Sequence, residues 1–599
     1  MLPRINGFCV RQCFFTRKYR ADKITELINI KKMTKQINRE KILLWGLILI
    51  YGPVALWARF YFLNNALLEP HPWRQTQTAL TIMQLFYGTG SLWDYRSPLS
   101  GMLWNNVYEF PIYQWVVSRI MFLGGGLEVV SRLVTLFCFL LSALFAYLIG
   151  LKLWGRKIAN WFLILYLINP FGVIFSRVCL IDFFALAFTL GSIYGLIRIR
   201  DDAKSKLGWL LFSLGGVIAG LAKINIWFFV TFSALGILVG ECWMRRSEKK
   251  DWLFKLFGVL ALQILVIFAW NYHRLHTLHS PADTPWLIGI LKQRFELWRW
   301  KKIIWDFGVR SFFFDALVIP WLVGSILLFK QNWKLFAIIY GICLAHTLIF
   351  FQVQTYHDYY LIAVMPYLYY LVALGVECLC RSKSIKGRVA FAVMGLLLVY
   401  KATKLPVFYS TIVHDYRPEL TEVFQLKRHT DPKDIVYWDA KQGRFEIATY
   451  SERKVGLSET FKLIGANDEK GGKYSPTVFH FDSQKLPLEV FENYPKVWVD
   501  GEKDFILLRT ASVGKFAFVP ERQLAVLSWV EEKSQISTFK KEVNNCGASR
   551  SVIMALPKGV KELKVEGDDF SLSLPGGKLF LNVPSESNWG CKIKIKVVT

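Results

Sequence analysis

Four short stretches of this sequence carry side chains suited to proton transfer and anion binding. Glu69–Ala79 reads Glu-Pro-His-Pro-Trp-Arg-Gln-Thr-Gln-Thr-Ala, and Tyr108–Trp115 reads Tyr-Glu-Phe-Pro-Ile-Tyr-Gln-Trp. Ser176–Asp182 reads Ser-Arg-Val-Cys-Leu-Ile-Asp, and Thr355–Tyr360 reads Thr-Tyr-His-Asp-Tyr-Tyr. The carboxylates Asp182 and Glu109, with Glu69 as an alternative, could each take a proton from an attacking hydroxyl. Arg74 and Arg177 could neutralise a departing phosphate, with Gln75, His357, Tyr359 and Tyr360 as further polar contacts. Each residue also has a plainer role open to it. Asp182 could simply favour a helix N-terminus, Glu109 could cap one, and the arginines and tyrosines could anchor at a lipid interface.

The elements that must position these stretches are apolar. Of 599 residues 53% are hydrophobic and 16% aromatic, mean hydropathy is +0.31, and 73 Lys and Arg against 45 Asp and Glu leave a net charge of +28. Disorder does not fit such aromatic content, and ten cysteines in so long a chain do not make a disulfide scaffold. Apolar runs of about 17 to 25 residues predict membrane spans. Eleven are found: Ile42–Phe62, Val129–Gly150, Ile158–Phe175, Phe183–Ile199, Leu207–Ala222, Ile224–Gly240, Trp252–Trp270, Phe312–Phe329, Leu335–Phe351, Tyr359–Leu379 and Val389–Lys404. A further stretch, Phe110–Leu123, is short and contains Arg119.

Charge decides the topology. If Phe110–Leu123 stays interfacial or re-entrant, five alternate short loops gather 17 Lys and Arg on one side together with the basic N-terminal segment. The opposite short loops hold little beyond Arg177 and Lys223. The positive-inside rule then predicts a cytoplasmic N-terminus and an extracytoplasmic C-terminus in a multi-pass plasma (inner) membrane protein. The first 405 residues carry +26 of the net charge, so the excess is an orientation signal, not a nucleic-acid footprint. All four chemistry-bearing stretches fall on the outer face at span ends, the first two in the outer loop 63–128. A transporter would instead bury its ionisable groups near mid-membrane.

Residues 1–41 are expected to be a basic, irregular cytoplasmic tail, with Met33 an alternative start. Residues 42–405 form the transmembrane domain. Residues 406–599 show short alternating segments separated by Gly, Pro, Asn and Asp, including Asp434–Trp438, Phe445–Thr449 and Lys592–Val598. They are expected to fold as a soluble extracytoplasmic domain, strand-rich α/β or β, in which Cys546 and Cys591 either pair or remain buried thiols.

Several motifs resemble those of the GT-C membrane glycosyltransferases. They are Trp-Arg-Gln-x-x-Thr-Ala after the first span, Glu-Phe-Pro-x-Tyr-Gln, Arg177-x-x-x-x-Asp182 and His357-Asp-Tyr-Tyr. The branch most similar is that of protein O-mannosyltransferases (glycosyltransferase family 39) and lipid A aminoarabinose transferases. Leu153-Trp154-Gly155-Arg156 and Gly220-Leu221-Ala222-Lys223 are similar to that branch too. The resemblance covers roughly residues 42 to 405. It implies transfer of a sugar from a polyprenyl-phosphate carrier to a glycan, lipid or protein acceptor at the outer face, with a GT-C-like fold. Where related transferases carry an acidic residue in the first outer loop, this sequence holds Gln75-Thr76, and an amide cannot act as a base. Asp182 and Glu109 are therefore the expected catalytic carboxylates.

The alternatives are an oligosaccharide ligase or polymerase with a diphosphate-linked donor, and a non-catalytic lipid-sugar binding or transport protein. No cofactor is required by the expected chemistry. A divalent cation has little support, because His273, His276 and His279 lack an acidic or Cys partner nearby. Lys223 is expected only at the rim of the site.

Overall fold

The computed structural model describes residues 23–96, 107–243, 251–280 and 284–430, then 435–438, 445–457 and a series of later strands. Cys546 and Cys591 lie outside the described residues. The chain divides into two compact units, Met1–Tyr95 with Val107–Tyr416 and Arg96–Asn106 with Arg417–Thr599.

The first unit is helical. Among the described residues five helices are long and apolar enough to cross a membrane, those containing Lys41–Phe60, Leu127–Leu153, Asp182–Asp201, Asp251–Tyr272 and Ile385–Ile412, and four shorter apolar helices accompany them. The first helix starts at Lys23, so residues 23–41 are helical, not irregular. They contain no Gly or Pro and are rich in Lys and Ile, which favour or tolerate a helix. The stretch expected as one span at 158–175 is two helices, Arg156–Ile168 and Pro170–Phe175. Pro170 lacks the N–H that would continue the first, and Asn169 caps the second by accepting from the Phe171 amide. At the far end, Ile385–Ile412 passes the expected boundary at 405, because buried Leu398, Leu405 and Tyr409 continue one face.

Helix Ile112–Met121 has ten residues. At 1.5 Å per residue it reaches only about 15 Å, half a bilayer core of ~30 Å. Its Arg119 donates to the Leu85 carbonyl at 2.8 Å, so the charge serves to stop helix Pro72–Phe86.

One hairpin matters most for the site. Helix Asp182–Asp201 is followed by Lys206–Ala222, packed antiparallel against it. A Cβ on Gly195 would meet the Gly208 carbonyl at 2.6 Å, and one on Gly215 would meet the Phe188 carbonyl at 2.9 Å. Only glycine lets these backbones approach so closely, the packing device of membrane helices without a hydrophobic drive. The hairpin brings Asp182, at its first residue, beside Lys223, just past its last.

In the second unit the described strands form three sheets. Ile435–Trp438 (β1) pairs in parallel with Lys454–Leu457 (β2) and Val478–Asp482 (β3). Phe505–Arg509 (β5) pairs antiparallel with β3 and with Lys496–Asp500 (β4), giving the order β2-β1-β3-β5-β4. The other sheets have three and five strands. Phe445–Thr449, expected as a strand, lies in helix Phe445–Ser451. Its residues 446–449 are all buried, so they present no alternating face.

Candidate functional site

At the end of the hairpin, Lys223 Nζ donates to Asp182 Oδ1 at 2.6 Å. Both side chains are buried, and Asp182 Oδ2 has no hydrogen-bond partner. A buried carboxylate with one oxygen anchored and the other free is a poised proton acceptor. The Asp182 carboxylate also begins its helix, where the exposed N–H groups favour negative charge.

A second ion pair comes from the segment that follows the first long helix. Arg74, in helix Pro72–Phe86, donates from Nη2 to Glu109 Oε2 at 2.9 Å and from Nη1 to Gln77 Oε1 at 2.6 Å. The other Glu109 oxygen accepts from Gln114 Nε2 at 2.9 Å. The loop is tied to the hairpin by the Phe110 amide, which donates to the Leu221 carbonyl at 3.1 Å. Arg74 and Glu109 each keep 13% side-chain exposure, so this pair is reachable. Burial opposes charge on Glu109, yet the adjacent Arg74 guanidinium holds its carboxyl below the usual range. For Lys223, burial pushes the ammonium below its ordinary value, with Arg74 adding to the push and Asp182 opposing it.

The two pairs are bridged by tyrosines. Lys223 Nζ lies 4.8 Å from the Tyr359 ring centroid and 4.6 Å from that of Tyr360. Beside them, His71 Nε2 meets Asp358 Oδ1 at 2.8 Å, and the His71 ring packs edge-on against Tyr359 and His357. His71 precedes helix Pro72–Phe86 at φ 62°, a left-handed backbone that a non-glycine residue adopts only under constraint. His357 Nδ1 is buried without a partner. Burial, followed by the charges of His71 and Lys223, lowers its pKa to about 4, so the ring stays neutral.

The remaining expected residues lie elsewhere. Glu69 is fully buried between Arg177 at 2.8 Å and Arg132 at 3.3 Å. Arg132 donates to the carbonyls of Leu63, Asn65 and Ala66, and Arg177 to those of Ala58 and Phe62. This cluster staples residues 58–69 in place. Glu69 and Arg177 are thus engaged in bracing the loop, although Glu69 Oε2, like Asp182 Oδ2, has no hydrogen-bond partner. Gln75 is also buried, donating to the Pro70 carbonyl and accepting from the Cys179 amide. It braces one outer turn against another and does not face the charged pairs. His273 Nε2 contacts the Trp93 carbonyl, and among the described residues no group of three or more His, Cys, Asp or Glu could hold a metal ion.

Lys223, expected at the rim, lies between Asp182 and the Tyr359 and Tyr360 rings. The His71–Asp358 pair joins stretches 287 residues apart, which no local pattern indicates.

Residues 95–280 match the family model described as dolichyl-phosphate-mannose-protein mannosyltransferase, a span that includes Glu109, Asp182 and Lys223. No curated protein matches the chain in sequence. Among solved structures, ArnT from Cupriavidus metallidurans bound to undecaprenyl phosphate superposes with a TM-score of 0.50 at 13% identity, covering 78% of this chain and 98% of that one. The AglB oligosaccharyltransferase of Archaeoglobus fulgidus, in complex with an inhibitory peptide and a dolichol-phosphate, gives 0.44 at 11% identity over 79% and 74%. The likeness to ArnT establishes the fold, that of a multi-pass membrane protein. The family match over residues 95–280 and the ArnT-like fold together make the chain similar to the GT-C membrane glycosyltransferases.

Proposed function

We propose that this protein transfers a sugar from a polyprenyl-phosphate donor to an acceptor hydroxyl at the outer membrane face. The observation that carries this is the free Oδ2 of Asp182, held by Lys223 beside the Arg74–Glu109 pair and the two tyrosines. In this mechanism Asp182 Oδ2 takes the acceptor hydroxyl proton as its oxygen attacks the sugar C1. The bond from C1 to the phosphate oxygen breaks, and its electron pair leaves on the phosphate. Arg74 and Lys223 meet the resulting charge, with Tyr359, Tyr360 and neutral His357 as further contacts. Glu109 is engaged on both oxygens and acts by positioning Arg74.

The same proposal takes eleven spans, with the N-terminus inside. Helix Ile112–Met121 lies at the interface and residues 406–599 are extracytoplasmic. The match of the ArnT fold to a lipid-phosphate-bound structure supports a lipid-phosphate donor over a soluble one. The test is incorporation of radiolabelled sugar from polyprenyl-phosphate donors into membranes containing the full chain. Asp182→Asn should abolish incorporation while carrier lipid still binds. Wild-type rates in that variant would overturn the mechanism, and no incorporation by the wild type with any such donor would overturn the function.

A further inference from the structure

One buried polar cluster in the helical unit is used by neither the fold nor the mechanism above. Asn225, His346 and Gln354 are at most 2% exposed, yet each has a polar atom without a hydrogen-bond partner: Asn225 Nδ2, His346 Nε2 and Gln354 Oε1. Tyr367 adds its hydroxyl. A buried polar group left unpaired is costly, so native proteins seldom gather four of them without a purpose.

The groups form one cluster. Gln354 Nε2 and His346 Nδ1 are 2.8 Å apart, which leaves Nε2–H of His346 as a donor if Nδ1 accepts. The Phe229 ring stacks on Tyr367 at 4.7 Å and lies 5.2 Å from the His346 ring. Phe228 approaches His346 at 5.8 Å. The cluster is joined to the charged site twice through the chain. Asn225 is two residues beyond Lys223, and Gln354 is three before His357.

We infer that Asn225, His346, Gln354 and Tyr367 form the subsite for the sugar of the lipid-linked donor. The inference rests on the transferase function proposed above. A pyranose offers hydroxyls that both donate and accept, matching three donors and one acceptor. Its C–H face suits the phenylalanine rings, the usual balance of a small-molecule site. A site built to bond hydroxyls also rejects a ligand that lacks them, because its own groups are then left unpaired. The subsite thus reads the sugar, while Arg74 and Lys223 read the phosphate that every such carrier shares.

The full-length protein in detergent is titrated with bare undecaprenyl phosphate and with undecaprenyl-phosphate-linked glucose, mannose, galactose, N-acetylhexosamine and 4-aminoarabinose. The wild type should prefer at least one sugar-bearing lipid over the bare carrier by tenfold or more. Gln354→Leu, His346→Phe and Tyr367→Phe should erase that preference while bare-carrier affinity stays within twofold, which also reports that each variant is folded. Variants that bind the bare carrier and keep the wild-type preference would overturn the subsite, as would a wild type that binds the carrier with no preference for any sugar. A wild type that binds neither bare nor sugar-bearing lipid would instead overturn the donor class itself.

Discussion

Two buried ionic clusters of the helical unit differ in the partners that hold them, and the proposed chemistry falls on the second. In the first, Glu69 is clasped by Arg132 and Arg177, whose remaining donors reach five main-chain carbonyls between residues 58 and 66. In the second, Arg74, Glu109, Lys223 and Asp182 bond mainly to one another and to side chains. Main-chain carbonyls of one loop cannot be exchanged for a ligand without unfolding that loop. Side-chain partners can rotate away. The first cluster has 0 to 2% exposure; in the second, Asp182 is equally enclosed at 1%, but the adjoining Arg74–Glu109 pair keeps 13%. Burial and charge alone therefore do not mark an active site. The kind of partner and the presence of an approach do.

The sharpest break in this comparison is Glu69→Ala. It leaves two guanidinium groups buried without a counter-charge, and removing one member of a buried pair costs about 3–5 kcal/mol. The yield of folded protein and the melting temperature in detergent should both fall steeply. Asp182→Asn should lower melting less, because the amide oxygen still accepts from Lys223 and a buried ammonium, unlike a guanidinium, can give up its proton; loss of the base should slow transfer by about 10²- to 10⁴-fold. If Glu69→Ala leaves melting unchanged, or Asp182→Asn lowers it as much, the distinction between the clusters is wrong.

A smaller effect separates geometry from charge within the second cluster. Arg74→Lys keeps the cation but loses the fork that engages Gln77 and Glu109 together. A lost charge-assisted hydrogen bond of ~1.5–3 kcal/mol corresponds to a donor KM raised about ten- to a hundred-fold. A KM within twofold of wild type would reduce Arg74 to a point charge.

How much of this was legible in the sequence follows from the range of each interaction. Apolar runs and loop charges are local, so the membrane character could be read directly. The pairing of Asp182 with Lys223 depends on a hairpin whose register is set by Gly195 against Gly208 and Gly215 against Phe188. Its residue types were visible, but the approach of the helices was not. Arg132 lies inside an apolar run, where its pairing with Glu69 becomes evident only once the loop folds back. Gln75 stands where the resemblance to related transferases implies an acid, yet it turns toward Pro70 and Cys179. Motif position identified the region without saying which side chains face inward.

The smallest effect tests the neutral rim of the second cluster through pH. His357 has its ordinary pKa of 6.5 in the unfolded chain and about 4 in the folded protein. As pH falls through that interval the unfolded chain gains a proton that the folded protein refuses, so this residue subtracts stability progressively below pH 6.5. The groups that set the shift, after burial, are His71, Lys223 and Arg74, which disfavour a further positive charge, and Asp358, which opposes them. His357→Gln removes the penalty while keeping a polar side chain of similar reach. The melting temperature of the variant should therefore decline less than that of the wild type between pH 7 and 4.5, with the two differing least at pH 7. Parallel declines would mean that His357 is protonated in the folded protein. The second cluster would then carry one more positive charge than its partners balance, and its contrast with the Glu69 cluster would lose its electrostatic half.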